Sequence, residues 1–229
     1  MVGCLVIHGF TGRIGEVQPL IDYLSTHTDW QWSVPILPGH GETLDLKGKP
    51  YESWLEAAVH AYEELHKTCT TIYVIGFSMG GMIAAYIAAR FQVEKLVLLA
   101  PALRIFSVRQ LTKEFGGILV DAHHHELASN LMYRNSLRKF SDTPLTSVIE
   151  FLKLVKYVRP FLKQVNTPVW VGQGRQDAIV PYGTMKEINQ LISSTDKQFV
   201  LFNDSGHFLC LDESKNEVSR LVLQFLTGS

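Results

Sequence analysis

Residues 72–85 constrain the fold of this chain more than any other stretch. They read Ile-Tyr-Val-Ile-Gly-Phe-Ser-Met-Gly-Gly-Met-Ile-Ala-Ala. The β-branched and aromatic start is typical of a buried strand, and the Ala-rich end is typical of a helix. Glycines at 76 and 80 flank the turn, where strand and helix must pass close to each other. The stretch therefore predicts a strand that turns sharply into a helix, with Ser78 at the apex.

The same rhythm of strand and helix runs through much of the chain. Apolar runs of strand length alternate with segments whose apolar residues recur at helical spacing. The predicted strands cover residues 2–7, 30–36, 71–76, 95–100, 168–172 and 198–202. The predicted helices cover 16–27, 51–67, 79–91, 182–193 and 213–226. This alternation predicts an α/β fold of about six mainly parallel strands flanked by helices on both faces.

Residues 102–165 interrupt this rhythm. They contain three groups with helical spacing but no convincing strand, and Pro144 and Pro160 punctuate them. We expect a small helical cap inserted into a core formed by residues 1–101 and 166–229.

The turn at Ser78 matches the Gly-x-Ser-x-Gly pattern that exposes a nucleophilic serine. It could also be an ordinary glycine-rich turn, but the strand before it and the helix after it are the context that the motif requires. The helix would point its N-terminus at the reacting atoms, where backbone N–H groups can hold a developing anion. The sequence therefore predicts that Ser78 is a catalytic nucleophile.

A serine hydroxyl needs a base, and the base needs a third group that fixes its orientation. Asp177 and His207 each follow a predicted strand, and side chains at those strand ends gather at one edge of a parallel sheet. Asp177 could instead shape a turn, but it lies too early to cap the helix after Val180 and Pro181. The order Ser, Asp, His is the one that this turn predicts.

An oxyanion hole needs two backbone N–H groups. Met79 follows the serine and would supply one, and Phe10 in the His8-Gly9-Phe10 turn after the first strand would supply the other. The alternative is that His8-Gly9 only ends a strand.

Four motifs together resemble the α/β-hydrolase superfamily over essentially the whole chain. They are His8-Gly9-Phe10-Thr11-Gly12, Pro38-Gly39-His40-Gly41, Gly76-Phe77-Ser78-Met79-Gly80-Gly81 and Ser205-Gly206-His207. Within it the chain is similar to small bacterial carboxylesterases and monoacylglycerol-lipase-like enzymes.

The resemblance implies an α/β-hydrolase fold and an acyl-enzyme mechanism without metal or organic cofactor. It gives Ser78 the role of nucleophile, His207 that of general base and then acid, and Asp177 that of orienting carboxylate. The family usually has two more strands before the His-Gly turn. Only about seven residues precede it here, so we expect a trimmed, six-stranded sheet.

The composition excludes several other classes of protein. The 229 residues carry a net charge of −1 and no basic stripe, so no nucleic-acid partner is expected. No apolar run approaches the length of a membrane span, and no leader is visible, so we expect a cytoplasmic protein without stable membrane insertion. Three scattered cysteines predict neither a disulfide framework nor a zinc site, and oligomeric state cannot be predicted.

Histidines form two rival candidate sites. His123, His124 and His125 are consecutive, so on a helix they would point in different directions and seldom converge on one metal ion. We expect an exposed part of the cap there. His40 is expected to shape its loop near the pocket.

The predicted substrate is a small-molecule ester with a short to medium acyl chain, held by Phe10, Met79, Val180 and parts of the cap. A thioesterase, a monoacylglycerol lipase or another acyl hydrolase or transferase would use the same motifs. A ligand-binding protein on a hydrolase scaffold with vestigial turnover is the alternative from another class.

Overall fold

The computed structural model describes residues 1–105 and 143–228. Their strands are β1 (Val2–Ile7), β2 (Gln31–Ser33), β3 (Thr71–Phe77), β4 (Lys95–Leu99), β5 (Val169–Gly174) and β6 (Lys197–Phe202). Their α-helices are α1 (Gln18–Ser25), α2 (Tyr51–His66), α3 (Met79–Arg90), α4 (Leu145–Val158), α5 (Thr184–Leu191) and α6 (Lys215–Thr227). Short 3-10 helices cover Ile14–Glu16 and Arg159–Gln164.

The strands form one sheet in the order β2-β1-β3-β4-β5-β6, and each neighbouring pair is parallel. The prediction of an α/β fold with a parallel sheet of six strands is therefore confirmed. Because every strand runs in the same direction, all the loops that follow strands emerge at the same edge. That edge carries the ends of β1, β3, β5 and β6, which bear the predicted site residues.

The predicted extent of the second strand was wrong. Residues 30–36 were expected to be extended, but β2 spans only Gln31–Ser33. It is an edge strand that pairs with β1 alone, and Pro35 has no N–H with which to continue the ladder.

Helices cover both faces of the sheet. On one face α1 and α6 pack over a core that includes Val6, Ile75 and Trp170. On the other face α2, α3 and α4 pack over Leu5, Val74 and Leu98. Helix α3 is apolar on nearly all sides because it lies between the sheet and α4. Strands buried on both faces explain the continuous apolar runs in the sequence.

Most of the predicted cap, residues 106–142, lies outside the described residues. Helix α4 and the 3-10 helix Arg159–Gln164 belong to the same predicted insertion, and both contact α3. Phe151, Leu154 and Leu162 join the core on that face. The division into core and cap stays a prediction. Within the described ranges, no helix is long and apolar enough to cross a membrane.

Candidate active site

Ser78 lies in the sharp turn between β3 and α3, as predicted. Its backbone has φ 54° and ψ −115°, a conformation that residues with a side chain rarely adopt. Two of its hydrogen bonds connect it to the end of β4 and the residues that follow. The Ser78 N–H donates to the Leu99 carbonyl at 2.8 Å, and the Ala102 N–H donates to the Ser78 carbonyl at 3.1 Å. The end of β4 therefore fixes the strained turn.

The two glycines of the turn are required by close backbone contacts. A Cβ atom at Gly76 would lie 2.2 Å from the Gly80 carbonyl oxygen. A Cβ atom at Gly80 would lie 2.2 Å from the carbonyl oxygen of Ile7 and 2.4 Å from that of His8. Strand β1 thus lies directly against the start of α3, which brings the loop after β1 beside Ser78.

The structure brings together the three residues that the sequence singled out. His207 Nε2 lies 2.9 Å from Ser78 Oγ, and His207 Nδ1 lies 2.7 Å from Asp177 Oδ2. All three side chains belong to buried residues. A carboxylate beside Nδ1 favours the tautomer that carries its proton there, which leaves Nε2 able to accept the serine proton. The arrangement can therefore activate the Ser78 hydroxyl as a nucleophile.

Asp177 is held by hydrogen bonds to both of its oxygen atoms. The backbone N–H groups of Ile179 and Val180 each donate to Oδ1 at 2.8 Å. The Gln173 side chain donates to Oδ2 at 2.7 Å. Donors on both oxygens fix the plane of the carboxylate.

The sequence analysis missed Gln173. The residue is fully buried near the end of β5, and its Nε2 also lies 3.3 Å from the Val180 carbonyl. A signal did exist, because Gln173 is a polar residue at the end of an otherwise apolar buried strand, four positions before Asp177. Such a residue needs a buried partner.

The loop that carries His207 packs closely on the loop that carries Asp177. The Gln176 N–H donates to the Ser205 carbonyl at 3.0 Å, and the Arg175 N–H donates to the Phe202 carbonyl at 2.8 Å. A Cβ atom at Gly174 would lie 2.1 Å from the Gly206 carbonyl oxygen. The ends of β5 and β6 therefore set the distance between acid and base.

His8 fixes the peptide that contains the first predicted oxyanion donor. The Leu37 N–H donates to His8 Nε2 at 3.1 Å, so the proton lies on Nδ1, which donates to the Gly9 carbonyl at 2.8 Å. The Gly12 N–H donates to the same carbonyl at 3.1 Å. In a trans peptide C=O and N–H point in opposite directions, so fixing the Gly9 carbonyl also fixes the Phe10 N–H.

Burial keeps this histidine neutral. It lowers the pKa of His8 to about 4, although the hydrogen bond to Gly9 acts in the opposite direction. The second predicted oxyanion donor, Met79, is the first residue of α3. Its N–H lies at a helix N-terminus, where backbone N–H groups have no partner within the helix.

A cleft opens at Ser78 and His207, and aromatic rings form much of its wall. The described residues that line it are Gly9, Phe10, Thr11, Glu16, Phe77, Ser78, Ile179, His207 and Phe208. Phe10 stacks on Phe151 of α4 at a centroid distance of 5.0 Å. Of the predicted substrate contacts, Phe10 lies in this wall. Met79 and Val180 are fully buried and are not among the described lining residues, whereas Ile179 is, so their contact with substrate stays a prediction.

One further histidine among the described residues lies close to this arrangement. His40 is buried, its Nδ1 lies 3.1 Å from the Pro38 carbonyl, and its ring lies beside those of His8 and Phe10. This position agrees with a loop-shaping residue near the pocket. His123, His124 and His125 lie outside the described residues. Among the residues described, no group of His, Cys, Asp and Glu could hold a metal ion.

Comparison with known proteins gives the family. Residues 3–214 match the model of the Hydrolase_4 family, described as serine aminopeptidase, S33. The chain belongs to this family. It is therefore an α/β hydrolase, as its motifs predicted.

Two curated relatives cover nearly the whole chain. A thermostable monoacylglycerol lipase from Bacillus sp. (strain H-257) is 27% identical over 98% of this chain and 90% of its own length. A carboxylesterase from Bacillus subtilis (strain 168) is 26% identical over 97% of this chain and 91% of its own length. The predicted similarity to bacterial carboxylesterases and monoacylglycerol-lipase-like enzymes is confirmed.

A solved structure shows the same fold. It comes from a study of LipS and LipT, two metagenome-derived lipolytic enzymes, and it superposes with a TM-score of 0.80 at 22% identity. The match covers 100% of this chain and 94% of the other. Family and relatives together support an enzyme, a serine hydrolase of the lipase and esterase type.

Proposed function

We propose that this Hydrolase_4 protein is a carboxylic ester hydrolase that acts on small esters with short to medium acyl chains. Ser78, His207 and Asp177 act as its catalytic triad. The observation that carries the proposal is the unbroken chain of hydrogen-bond distances from Ser78 Oγ through the His207 ring to Asp177, at the base of a cleft.

The reaction divides into two acyl transfers. In the first, Ser78 Oγ attacks the ester carbonyl while its proton passes to His207 Nε2. The tetrahedral oxyanion is held by the N–H groups of Phe10 and Met79, and its collapse breaks the bond to the alcohol, which leaves with the proton from His207. In the second, His207 takes a proton from water while the water oxygen attacks the acyl carbonyl, and collapse of this intermediate breaks the bond to Ser78 Oγ, which takes the proton back from His207 as the acid leaves. Asp177 stabilises the imidazolium in both halves.

The wall of the cleft supports an apolar acyl group. Phe10, Phe77 and Phe208 supply apolar surface next to Ser78, and burying such surface favours binding by about 25 cal/mol per Å². The two curated relatives bear the names of ester hydrolases, one for carboxylic esters and one for monoacylglycerols. A cytoplasmic location remains a prediction of the sequence.

The first experiment measures hydrolysis of p-nitrophenyl acetate and p-nitrophenyl butyrate by the purified protein. We expect turnover of both, and we expect Ser78→Ala to lower kcat by about 10⁵- to 10⁶-fold. The matched control is Ser25→Ala, which makes the same change at an exposed position in α1. Equal activity of Ser78→Ala and the parent would overturn the assignment of the site.

Monoacylglycerol hydrolysis is a second candidate, because the monoacylglycerol lipase from Bacillus sp. matches 98% of this chain. A panel of 1-monoacylglycerols and p-nitrophenyl esters of matched acyl length separates the two. A higher kcat/KM on the glycerol esters at every acyl length would favour this candidate. Adding acyl thioesters to the same panel tests the thioesterase alternative.

A further inference from the structure

Asp212 is a buried acid near the candidate site to which no role has been given. It lies five residues after His207, in the segment that joins β6 to α6, and only 3% of its surface is exposed. It takes no part in the hydrogen bonds described above for Ser78, His207 and Asp177. A buried carboxyl of this kind requires an explanation, because removing a charge from water is costly.

The donors around Asp212 come from both sides of His207. The Ser214 N–H donates to Asp212 Oδ1 at 3.0 Å. The Ser205 hydroxyl and the Gly206 N–H also act to lower the pKa of the carboxyl, but among the described residues Asp212 Oδ2 has no hydrogen-bond partner. Ser205 Oγ also lies 2.5 Å from Ser214 Oγ. The Asp212 carboxylate thus holds Ser214 at the start of α6, and the Ser214 hydroxyl meets that of Ser205, two residues before His207.

The contacts of Asp212 and Ser214 hold one side of the loop that carries His207. On its other side, the loop is held through the Ser205 carbonyl by the Gln176 N–H, near Asp177. The Asp212 N–H adds a hydrogen bond to the Phe208 carbonyl at 3.1 Å, directly after the histidine. We propose that Asp212 is a positioning residue, whose carboxylate holds the loop so that His207 reaches Ser78 and Asp177 together. The proposal rests on the role of His207 in the proposed function.

The ionisation of Asp212 does not serve the stability of the fold. Burial raises the pKa of Asp212 to about 6, and the charge of Glu213 acts in the same direction, although Ser214, Ser205 and Gly206 act to lower it. The other titratable group coupled to it is the thiol of Cys210, whose pKa burial raises to about 12. A carboxyl group whose pKa is higher in the folded than in the unfolded protein destabilises the fold when it ionises. The carboxylate is therefore better explained by what it orders than by a contribution to stability.

The test compares Asp212→Asn with Asp204→Asn. Both remove one acidic charge from the same segment, but Asp204 is exposed. With p-nitrophenyl butyrate, we expect Asp212→Asn to lower kcat by about 10- to 100-fold and to change KM by less than about twofold, because a small displacement of a catalytic base slows the chemical step. Asp204→Asn should match the parent.

A second readout needs no substrate. The proton that His207 Nδ1 shares with Asp177 should give a far-downfield ¹H NMR signal, assigned by its loss in Asp177→Asn. We expect Asp212→Asn to weaken or abolish this signal and Asp204→Asn to retain it. If signal and kcat in Asp212→Asn both match those of Asp204→Asn, the proposal is wrong.

The two readouts separate this proposal from the proposed function. A parent protein with the downfield signal but without Ser78-dependent esterase activity would contradict the proposed function, while the effect of Asp212→Asn on the signal would still decide the positioning role. Circular dichroism checks that each variant folds. If Asp212→Asn does not fold, Ser205→Ala takes its place, because it removes the hydroxyl that bonds to Ser214 on the side of the loop. The same NMR signal and kcat then decide the proposal.

Discussion

At the scale of single residues, the candidate site depends on side chains that touch no reacting atom. Gln173 donates to Asp177, and His8 holds the Gly9 carbonyl. Each acts on a group that the proposed mechanism uses, so each should affect the rate of reaction more than the binding of substrate.

Gln173→Met should lower kcat by about 10-fold with little change in KM. The variant keeps the length of the side chain but removes the hydrogen bond to Asp177 Oδ2 at 2.7 Å, so the carboxylate can rotate away from His207. Steady-state kinetics on p-nitrophenyl butyrate would measure the effect. Gln198→Met, at an exposed position of β6, is the matched control. An unchanged kcat in Gln173→Met would show that the two backbone donors hold Asp177 without help.

His8→Leu should lower kcat by up to about 10²-fold, because the peptide that presents the Phe10 N–H loses its donor from His8. It should also lower the free energy of unfolding by about 1–3 kcal/mol, since the Leu37 N–H stays buried without its acceptor. Kinetics and urea unfolding measure the two effects. The exposed His60→Leu is the control. A stability loss with unchanged kcat would mean that the Gly12 N–H alone orients the peptide.

At the scale of elements, the site is a product of where strands end and how closely their loops approach. Gly80 lets α3 begin against the backbone of β1, and Gly174 lets the loop after β5 contact the loop after β6. These contacts involve backbone atoms, which cannot move aside as a flexible side chain can. They explain why positions far apart in the sequence share so small a site.

Gly80→Ala should destabilise the protein by more than about 2 kcal/mol, although alanine forms helices better than glycine. The added Cβ would lie 2.2 Å from the Ile7 carbonyl oxygen and would push β1 away from α3. Urea unfolding measures the change. Gly183→Ala serves as control, because no atom lies within 4 Å of the Cβ position there. If Gly80→Ala and Gly183→Ala were equally stable, the close contact between the start of α3 and the backbone of β1 would be contradicted.

At the scale of the whole molecule, two buried groups shift stability with pH in opposite directions. His8 has an ordinary pKa of 6.5 and a folded-state pKa of about 4, so the unfolded chain binds the extra proton between these values. Stability from His8 therefore falls as the pH drops through this window. For Asp212, with values of 3.8 and about 6, the folded protein binds the extra proton, and stability rises as the pH drops.

Each contribution is on the order of 3 kcal/mol, because one pKa unit corresponds to about 1.4 kcal/mol. They nearly cancel between about pH 4 and 6. Asp212→Asn removes one of them, so its urea midpoint should fall more steeply on acidification than that of the parent. Urea unfolding at several pH values between 4 and 7 measures the slopes, and Asp204→Asn should run parallel to the parent. If the urea midpoint changed with pH in the same way in all three proteins, the opposing contributions of His8 and Asp212 would be contradicted.

The sequence by itself determined the order of strands and helices in the core and the sharp turn at Ser78. It could do so because these features depend on neighbouring residues, namely the apolar period and the glycines at 76 and 80. It also selected Asp177 and His207 as candidates, because each follows a strand and parallel strands end at one edge. What it could not give was the length of β2, which depends on pairing with a single neighbour.

Only the tertiary structure decided which side chains meet. His207 and Ser78 are 129 positions apart, and Leu37 and His8 are 29 positions apart, yet each pair lies within hydrogen-bond distance. The hydrogen bonds of Gln173 and Asp212 and the place of Ile179 in the cleft wall likewise depend on side-chain direction and close packing. Local periodicity shows which face of an element is buried, but the contacts across that face are set by every other element that packs against it.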